Sequence, residues 1–273
     1  MTEEPTQILE PSAPRRTRRF AIVGAVVALV VVAGGAGSYA VYNKLSGGGA
    51  QPHDVIPASV DAYARLDLDP SASQKVELFK FIRKFPDAAK ELGITSADQD
   101  VRKLVFDELV SDACPDVDYE DDVEAWLGER IGMGGWFEEE KFVIAVQVTN
   151  ESKARDGIKK LIACDDEDYG IAFLDGYALL SEDQKTVDDA AKEALKTPLG
   201  EDKAFLADFE ELGDQGVASA WMDVKAMTDI PEFKESAGEQ AKILQQIDTV
   251  ATTLRVDGSA IEVAAVSGIP DAY

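Results

Sequence analysis

VDAYARLD, at residues 60–67, alternates apolar and polar side chains with the two-residue period of a β-strand that buries one face. A similar segment, VASAWMD, stands at 217–223 and lines up with DAYARLD at 61–67. Each segment ends in an aspartate, Asp67 or Asp223, and each leads into helical sequence. We therefore expect two equivalent strands, each of which begins a unit of the fold.

A predicted β-hairpin follows each of these strands further along the chain. The first spans 130–149, and the second spans 252–267, where Asp257-Gly258 supplies a two-residue turn. The order strand, helices, hairpin thus occurs twice, in units of about 57–213 and 214–273. The internal repeat is partial, because the second unit stops before the second hairpin and the later helices of the first.

The other elements are predicted from apolar spacing, turn residues and helix caps. They are a helix that starts at Asp69-Pro70 and ends by Pro86, helices at about 97–111, 152–162, 184–196 and 201–212, and a hairpin of 169–174 and 177–181 around Asp175-Gly176. Ser152 is predicted to cap the helix that runs to Ile162. We expect an α+β fold with a mostly antiparallel sheet and helices on one face, preceded by one transmembrane helix.

The transmembrane helix is predicted from Phe20 to Tyr42, which are 23 residues without a charged side chain. At about 1.5 Å per residue the helix reaches about 34 Å, enough to cross a hydrocarbon core of about 30 Å. Only Lys44 is basic on the far side, whereas four arginines precede the span: Arg15, Arg16, Arg18 and Arg19. This asymmetry predicts a single-pass protein of the cell membrane, with a cytoplasmic N-terminus and an extracellular C-terminal domain.

The chain accordingly divides into four predicted parts. They are a disordered cytoplasmic tail (1–19), the transmembrane helix (20–42), a Gly-rich linker (43–52) and an extracytoplasmic α+β domain (53–273). A cleaved export signal is the alternative, because Ser38-Tyr39-Ala40 also suits a cleavage site. The same domain would then be secreted.

Acidic side chains dominate the chain, with 52 Asp+Glu against 27 Lys+Arg and a formal net charge of −25. The part beyond Lys44 holds 49 acids and 22 bases, a net charge of −27. Such a surface repels the phosphates of nucleic acids and of anionic lipids, so nucleic acid is not an expected partner. The charge itself is typical of a soluble surface adapted to a salty or cation-rich exterior.

Two cysteines, Cys114 and Cys164, are predicted to form a disulfide in an oxidising exterior, with free buried thiols as the alternative. The bridge would bring together two acidic clusters. Their side chains are weak candidates for calcium ligands: Asp116, Asp118, Glu120, Asp122, Asp165, Asp166, Glu167 and Asp168. Their spacing does not match an EF-hand loop, since Asp121 and Leu127 stand where glycine and glutamate are needed. A solvated acidic loop is the simpler interpretation.

Catalytic constellations are not evident in the sequence. His53 is the only histidine and is predicted to lie in the flexible tether, which disfavours nucleophilic catalysis with a histidine base. Gly132-Met133-Gly134-Gly135 lacks the dinucleotide fingerprint and lies in a predicted strand. Asp67 and Asp69 share one face of an extended segment at about 7 Å, but a helix cap explains Asp69 more simply. We predict no enzyme, no catalytic or cofactor-binding residues and no cofactor.

The segment 61–71, together with Pro57, Lys84-Phe85-Pro86 and residues 118–128, resembles the actinobacterial domain-of-unknown-function family 3352. The resemblance covers about 51–273 and implies an envelope protein with a single N-terminal membrane span. It implies no activity and no site residues. We predict a membrane-anchored domain that binds an envelope protein or ligand, or organises the envelope. The alternatives are a calcium-responsive sensory domain and a carboxylate-based hydrolase of cell-wall glycans.

Overall fold

The computed structural model describes residues 50–70, 72–86, 90, 93–96, 99–164, 168–257 and 260–268. The predicted tail, the predicted span Phe20 to Tyr42 and the linker up to residue 49 lie outside these ranges. Within the ranges, every helix is too short or too polar to cross a membrane.

An antiparallel sheet of eight strands forms the centre of the described part of the chain, in the order β4-β5-β3-β2-β1-β6-β7-β8. Its strands are β1 (Ala62–Asp67), β2 (Leu127–Trp136), β3 (Lys141–Val148), β4 (Gly170–Leu174), β5 (Tyr177–Ser181), β6 (Ala218–Asp223), β7 (Thr249–Asp257) and β8 (Ala260–Gly268). Every neighbouring pair is antiparallel. The predicted α+β class and its antiparallel sheet are confirmed.

Asp175 and Gly176 join β4 to β5 with φ angles of 45° and 81°. Positive φ at both positions suits the tight turn whose twist matches the flanking strands. Asparagine, aspartate and glycine tolerate these angles better than other residues, which is why this hairpin was predictable from two residues.

The helices are α1 (Ala72–Ile82), α2 (Val101–Leu109), α3 (Glu151–Ile162), α4 (Gln184–Ala194), α5 (Lys203–Leu212), α6 (Val224–Asp229), α7 (Pro231–Ala237) and α8 (Glu239–Leu244). Short 3-10 turns occur at Pro52–Asp54 and Leu199–Glu201, and a π-helical turn at Tyr119–Val123. The prediction that Ser152 caps α3 is wrong. The Asn150 side chain accepts a hydrogen bond from the Lys153 amide at 3.0 Å, and Ser152 lies within the helix.

β1 and β6, the two segments that align in sequence, are neighbours at the centre of the sheet. Ala64 lies opposite Ala220, which is also its equivalent in the sequence alignment. The ends of the pair are held by equivalent hydrogen bonds at 2.8 Å, from the Asp67 amide to the Val217 carbonyl and from the Asp223 amide to the Asp61 carbonyl. The register therefore relates the two segments by a local two-fold axis through Ala64 and Ala220.

Helices cover both faces of the sheet, so the prediction of helices on one face is wrong. What we call the first face carries Tyr63, Leu179 and Trp221, which pack in one core cluster with α4 and α5. What we call the second face carries Ile131, Val146 and Ala178, which pack in another cluster with α2 and α3. A strand buried on both sides has a continuous apolar run rather than alternation, as in YALL at 177–180.

Candidate ligand-binding pocket

A pocket of about 600 Å³ opens on the second face of the sheet, between β2, β3 and β5 below and α2 and α3 above. Pockets that hold small molecules in proteins measure about 300–1,000 Å³. The volume of this one falls within that range.

The floor of the pocket consists of aliphatic side chains from the sheet and its edge. The register sets Ile131 opposite Val146 and Ile144 opposite Leu180, so these four side chains point to the same side. The floor residues are Leu68, Leu127, Ile131, Ile144, Val146 and Leu180. Branched side chains suit this position because they have few rotamers to lose and cover the pleated backbone.

The roof of the pocket is built by two helices with the same spacing of inward residues. In α2 the lining residues are Arg102, Val105 and Phe106, and in α3 they are Ile158, Leu161 and Ile162. Positions i, i+3 and i+4 share one face of a helix, which aims each set at the sheet. Asp100 fixes the start of α2, since its side chain accepts a hydrogen bond from the Arg102 amide at 2.9 Å.

The predicted disulfide between Cys114 and Cys164 is confirmed and forms one end of the pocket. It joins the turn that follows α2 to the turn that follows α3, with the two Cα atoms 5.3 Å apart and the two cysteines 50 positions apart in sequence. Cys114 is buried, whereas Cys164 and Ala113 are exposed. We call the edge formed by Ala113, Cys164 and Tyr169 the pocket mouth, because these lining residues reach the surface.

Arg102 is the one charged residue among the described lining residues, and its charge is compensated. Its guanidinium donates to both oxygens of Asp100 at 3.0 and 2.8 Å and to the Leu127 carbonyl at 2.9 Å. Although burial acts to raise it, hydrogen bonds from Arg102 and Tyr119 hold the pKa of Asp100 below its usual value. Trp126 also has its partner, since its indole N–H donates to the Asp122 carbonyl at 2.6 Å. The interior of the pocket is consequently apolar and electrically neutral.

The first acidic cluster lies beside the pocket, and three of its predicted metal ligands have protein partners. The Asp118 side chain accepts a hydrogen bond from the Asp121 amide at 3.0 Å and so caps the π-helical turn. Glu120 forms an ion pair with Lys103 at 3.2 Å. Asp122 pairs with Lys160, and this hydrogen bond lowers the pKa of the Asp122 carboxyl.

Asp116 and Asp168 are exposed near the disulfide, while Asp165, Asp166 and Glu167 lie outside the described residues. Within the described ranges, no three histidine, cysteine or acidic side chains come together as ligands of one metal ion. The disulfide links the segments that carry the two clusters, since Asp116 is two residues from Cys114 and Asp168 is four residues from Cys164 in sequence.

His53 is not in a flexible tether, so that interpretation is wrong. It lies in the 3-10 turn Pro52–Asp54, on the first face, with its ring centroid 5.2 Å from that of Phe205 and 6.1 Å from that of Tyr63. Its side chain is 13% exposed. Burial lowers the pKa of His53 to about 4, against the opposing effect of Asp54, and Arg65 lowers it further.

Asp67 and Asp69, the candidate carboxylate pair, hold the turn that follows β1. Asp67 accepts hydrogen bonds from the Arg65 guanidinium at 3.0 Å and from the Asp69 amide at 3.1 Å. Asp69 forms an ion pair with Lys75. Neither residue lines the pocket, and its described lining residues include no carboxylate, so the pocket offers no paired-carboxylate chemistry.

The sequence contained a partial signal for this pocket. Apolar spacing and cap residues predicted helices at about 97–111 and 152–162, the regions of α2 and α3, and the cysteine pair predicted the bridge. Spacing does not reveal how far a helix stands from the sheet, so the space between the layers was missed. No model of a known protein family, no curated protein and no solved structure matches this chain.

Proposed function

We propose that this chain is a non-enzymatic binding domain that holds an apolar ligand in the pocket between α2, α3 and the sheet. We further propose that Phe20 to Tyr42 anchor it to the cell membrane, with the tail 1–19 in the cytoplasm and the domain outside. The pocket of about 600 Å³ is the single observation that carries the binding role.

The chemistry of the lining supports an apolar ligand. Most lining side chains are aliphatic, and Arg102 and Trp126 already use their polar groups within the protein. Water gains little from entering such a space, because an ordered water needs two to four polar partners. An alkyl chain gains about 0.8 kcal/mol for each CH₂ group that it removes from water.

Two features of the sequence support a place beside a membrane. The uncharged stretch Phe20 to Tyr42 is followed by a Gly-rich linker, so the pocket would be tethered close to a source of alkyl chains. The resemblance to the actinobacterial domain-of-unknown-function family 3352 also favours an envelope protein.

The pairing of Ala64 with Ala220 supports the internal repeat within this domain. No observation in the described part of the chain favours the calcium or hydrolase alternatives over the pocket.

Photolabelling of the full-length chain tests this proposal. The probe is a long-chain fatty alcohol that carries a photoreactive diazirine, added to purified protein and activated by light. Peptide mapping should find label on the segments that contain Ile131 and Ile158, because both line the pocket. The peptide that contains Phe20 to Tyr42 serves as an internal reference for labelling of an exposed apolar segment.

A pair of matched variants controls for non-specific labelling. Ile144→Trp fills the pocket, whereas Ile243→Trp makes the same change at a side chain that is 66% exposed and does not line it. Label on the pocket segments should fall at least fivefold in Ile144→Trp and stay unchanged in Ile243→Trp. Val146→Phe repeats the test should Ile144→Trp fail to fold. Equal labelling of the pocket segments in all folded variants, or none in the wild-type chain, would overturn the proposal.

A further inference from the structure

We infer that the ligand is an amphiphile whose head group carries no negative charge: an uncharged or cationic head at the pocket mouth, with its alkyl chain inside. This inference rests on the proposed function and concerns the class of ligand. It follows from the charges inside the pocket and around the mouth.

The inside of the pocket offers no net positive charge to an anionic head. An anion buried in an apolar site needs a cation or several hydrogen-bond donors to replace its hydration. Arg102 is the only basic residue of the described lining, and Asp100 already neutralises it through two hydrogen bonds. A second carboxylate beside this pair would be repelled by Asp100. A negative head therefore has no favourable position among the lining residues.

The mouth itself is acidic. Asp112 and Asp116 lie on either side of Ala113 and Cys114, and Asp168 is next to Tyr169. All three carboxylates are exposed, and no ion pair with a lysine or arginine joins them in the described part of the chain. Each of the three lies within three residues in sequence of a residue at the mouth, where the head group of a bound amphiphile would meet water.

Basic residues near the mouth do not reverse this charge. Lys159 and Lys160 lie about one turn of α3 before Cys164, but Lys160 is paired with Asp122. Among the described residues, Lys159 is thus the one lysine of this turn without an ion pair, and three exposed carboxylates outnumber it. The formal net charge of −25 over the whole chain adds a long-range repulsion of anions. The negative charge near the pocket mouth attracts a cationic head, and it neither attracts nor repels an uncharged head.

Competition against the diazirine alcohol tests the inference on the full-length chain. Three unlabelled competitors share one alkyl chain and differ in the head: a hydroxyl, a trimethylammonium and a sulfonate, each kept below the concentration at which it forms micelles. At low salt the sulfonate should compete about tenfold less well than the alcohol, and the ammonium at least as well as the alcohol. High salt should reduce the difference between the sulfonate and the alcohol, because exposed charges are screened.

A charge-matched pair of variants locates the effect at the mouth. Asp112→Asn/Asp116→Asn/Asp168→Asn removes the rim charges, and Glu210→Gln/Glu211→Gln/Glu232→Gln removes three exposed charges elsewhere. In the variant with the three mouth substitutions, the sulfonate should compete at most about threefold less well than the alcohol. In the control variant the difference should stay near tenfold. A sulfonate that competes as well as the alcohol in the wild-type chain at low salt would overturn the inference but leave the pocket in place. Absence of pocket labelling by the alcohol would instead overturn the proposed function.

Discussion

The hydroxyl of Tyr177 donates a hydrogen bond to the carbonyl of Ala50 at 2.7 Å, across 127 residues of sequence. Tyr177 belongs to β5, and Ala50 lies within the predicted linker 43–52. Burial raises the pKa of Tyr177 to about 12, so its hydroxyl stays protonated and available as a donor. Arg130 donates to the same carbonyl at 3.4 Å. The first described residues of the chain are thereby fastened to the first face of the sheet.

Replacing Tyr177 by Phe should lower the free energy of unfolding by about 1 kcal/mol, because the half-buried Ala50 carbonyl keeps only its longer bond from Arg130. Urea unfolding measures the loss. Hydrogen exchange should show faster exchange at the amides of Gln51 to Val55 than in the wild-type chain, with little change in α3. Unchanged exchange in that segment would show that the hydroxyl does not hold it.

Gly134 and Gly135 are adjacent in β2 but face opposite sides, and alanine should affect them differently. A Cβ at Gly134 would come within 2.7 Å of Ile56 and 2.8 Å of Val60, whereas one at Gly135 would meet only the Lys141 carbonyl at 3.6 Å. Gly134→Ala should therefore destabilise the fold by about 1–3 kcal/mol through overpacking. Gly135→Ala should be neutral or slightly stabilising. Thermal unfolding of the two variants side by side decides this, and equal losses would contradict it.

His53 should make stability fall as the pH drops from 7 to 5. Its pKa of about 4 in the folded chain lies below the unfolded value of 6.5, so the unfolded chain binds a proton in this range and the folded chain does not. The free energy of unfolding should decrease by about 2 kcal/mol between pH 7 and pH 5 and change little between pH 7 and pH 8.

Two variants isolate the contribution of His53 to this pH dependence. His53→Gln and His53→Phe cannot titrate, so each should lose most of the slope between pH 7 and pH 5, whatever its stability at pH 7. Asp100 provides a contrast, since its pKa is below the usual carboxyl value and its protonation destabilises the fold at lower pH. A slope that persists in both His53 variants would assign it to other groups.

Loss of the disulfide should destabilise the fold and disturb the pocket mouth. The bridge closes a loop of 50 residues, so the chain-entropy model gives about 4 kcal/mol for it. Cys114→Ala/Cys164→Ala should lower the melting temperature, and a reductant should lower that of the wild-type chain but not that of the variant. Photolabelling of the pocket should also weaken, because α2 and α3 lose their covalent link. A melting temperature that is insensitive to the reductant would contradict this account.

Local chemistry in the sequence predicted much of the fold. Asp175-Gly176 identified the β4–β5 hairpin because few residues adopt positive φ, and the alternation at 61–67 and 217–223 identified β1 and β6. The disulfide was predicted from the even number of cysteines and the expected oxidising exterior. The turn and the strands depend on residues that are close in sequence. The disulfide depends on two cysteines that have only each other to pair with inside the chain.

Features that depend on distant packing were not predictable. His53 follows a Gly-rich stretch and so suggested flexibility, yet Phe205 and Tyr63 bury it. Asn150 rather than Ser152 caps α3, because the helix begins at Glu151, two residues before the start that a Ser152 cap implies. The pocket depends on the distance between two helices and the sheet, which no local pattern encodes.

The position of β6 has a consequence for association between molecules. Without residues 214–273, β1 would be an edge strand with unpaired N–H and C=O groups, including the amide of Asp67. Open edges of this kind recruit strands from other chains. Ala64 and Ala220 lie opposite each other at equivalent positions of the two strands. The β1 strand of a second molecule could therefore pair with this edge antiparallel and in the register that β6 now has. Residues 214–273 thus cover, within one molecule, the strand edge at which two copies of β1 could otherwise pair.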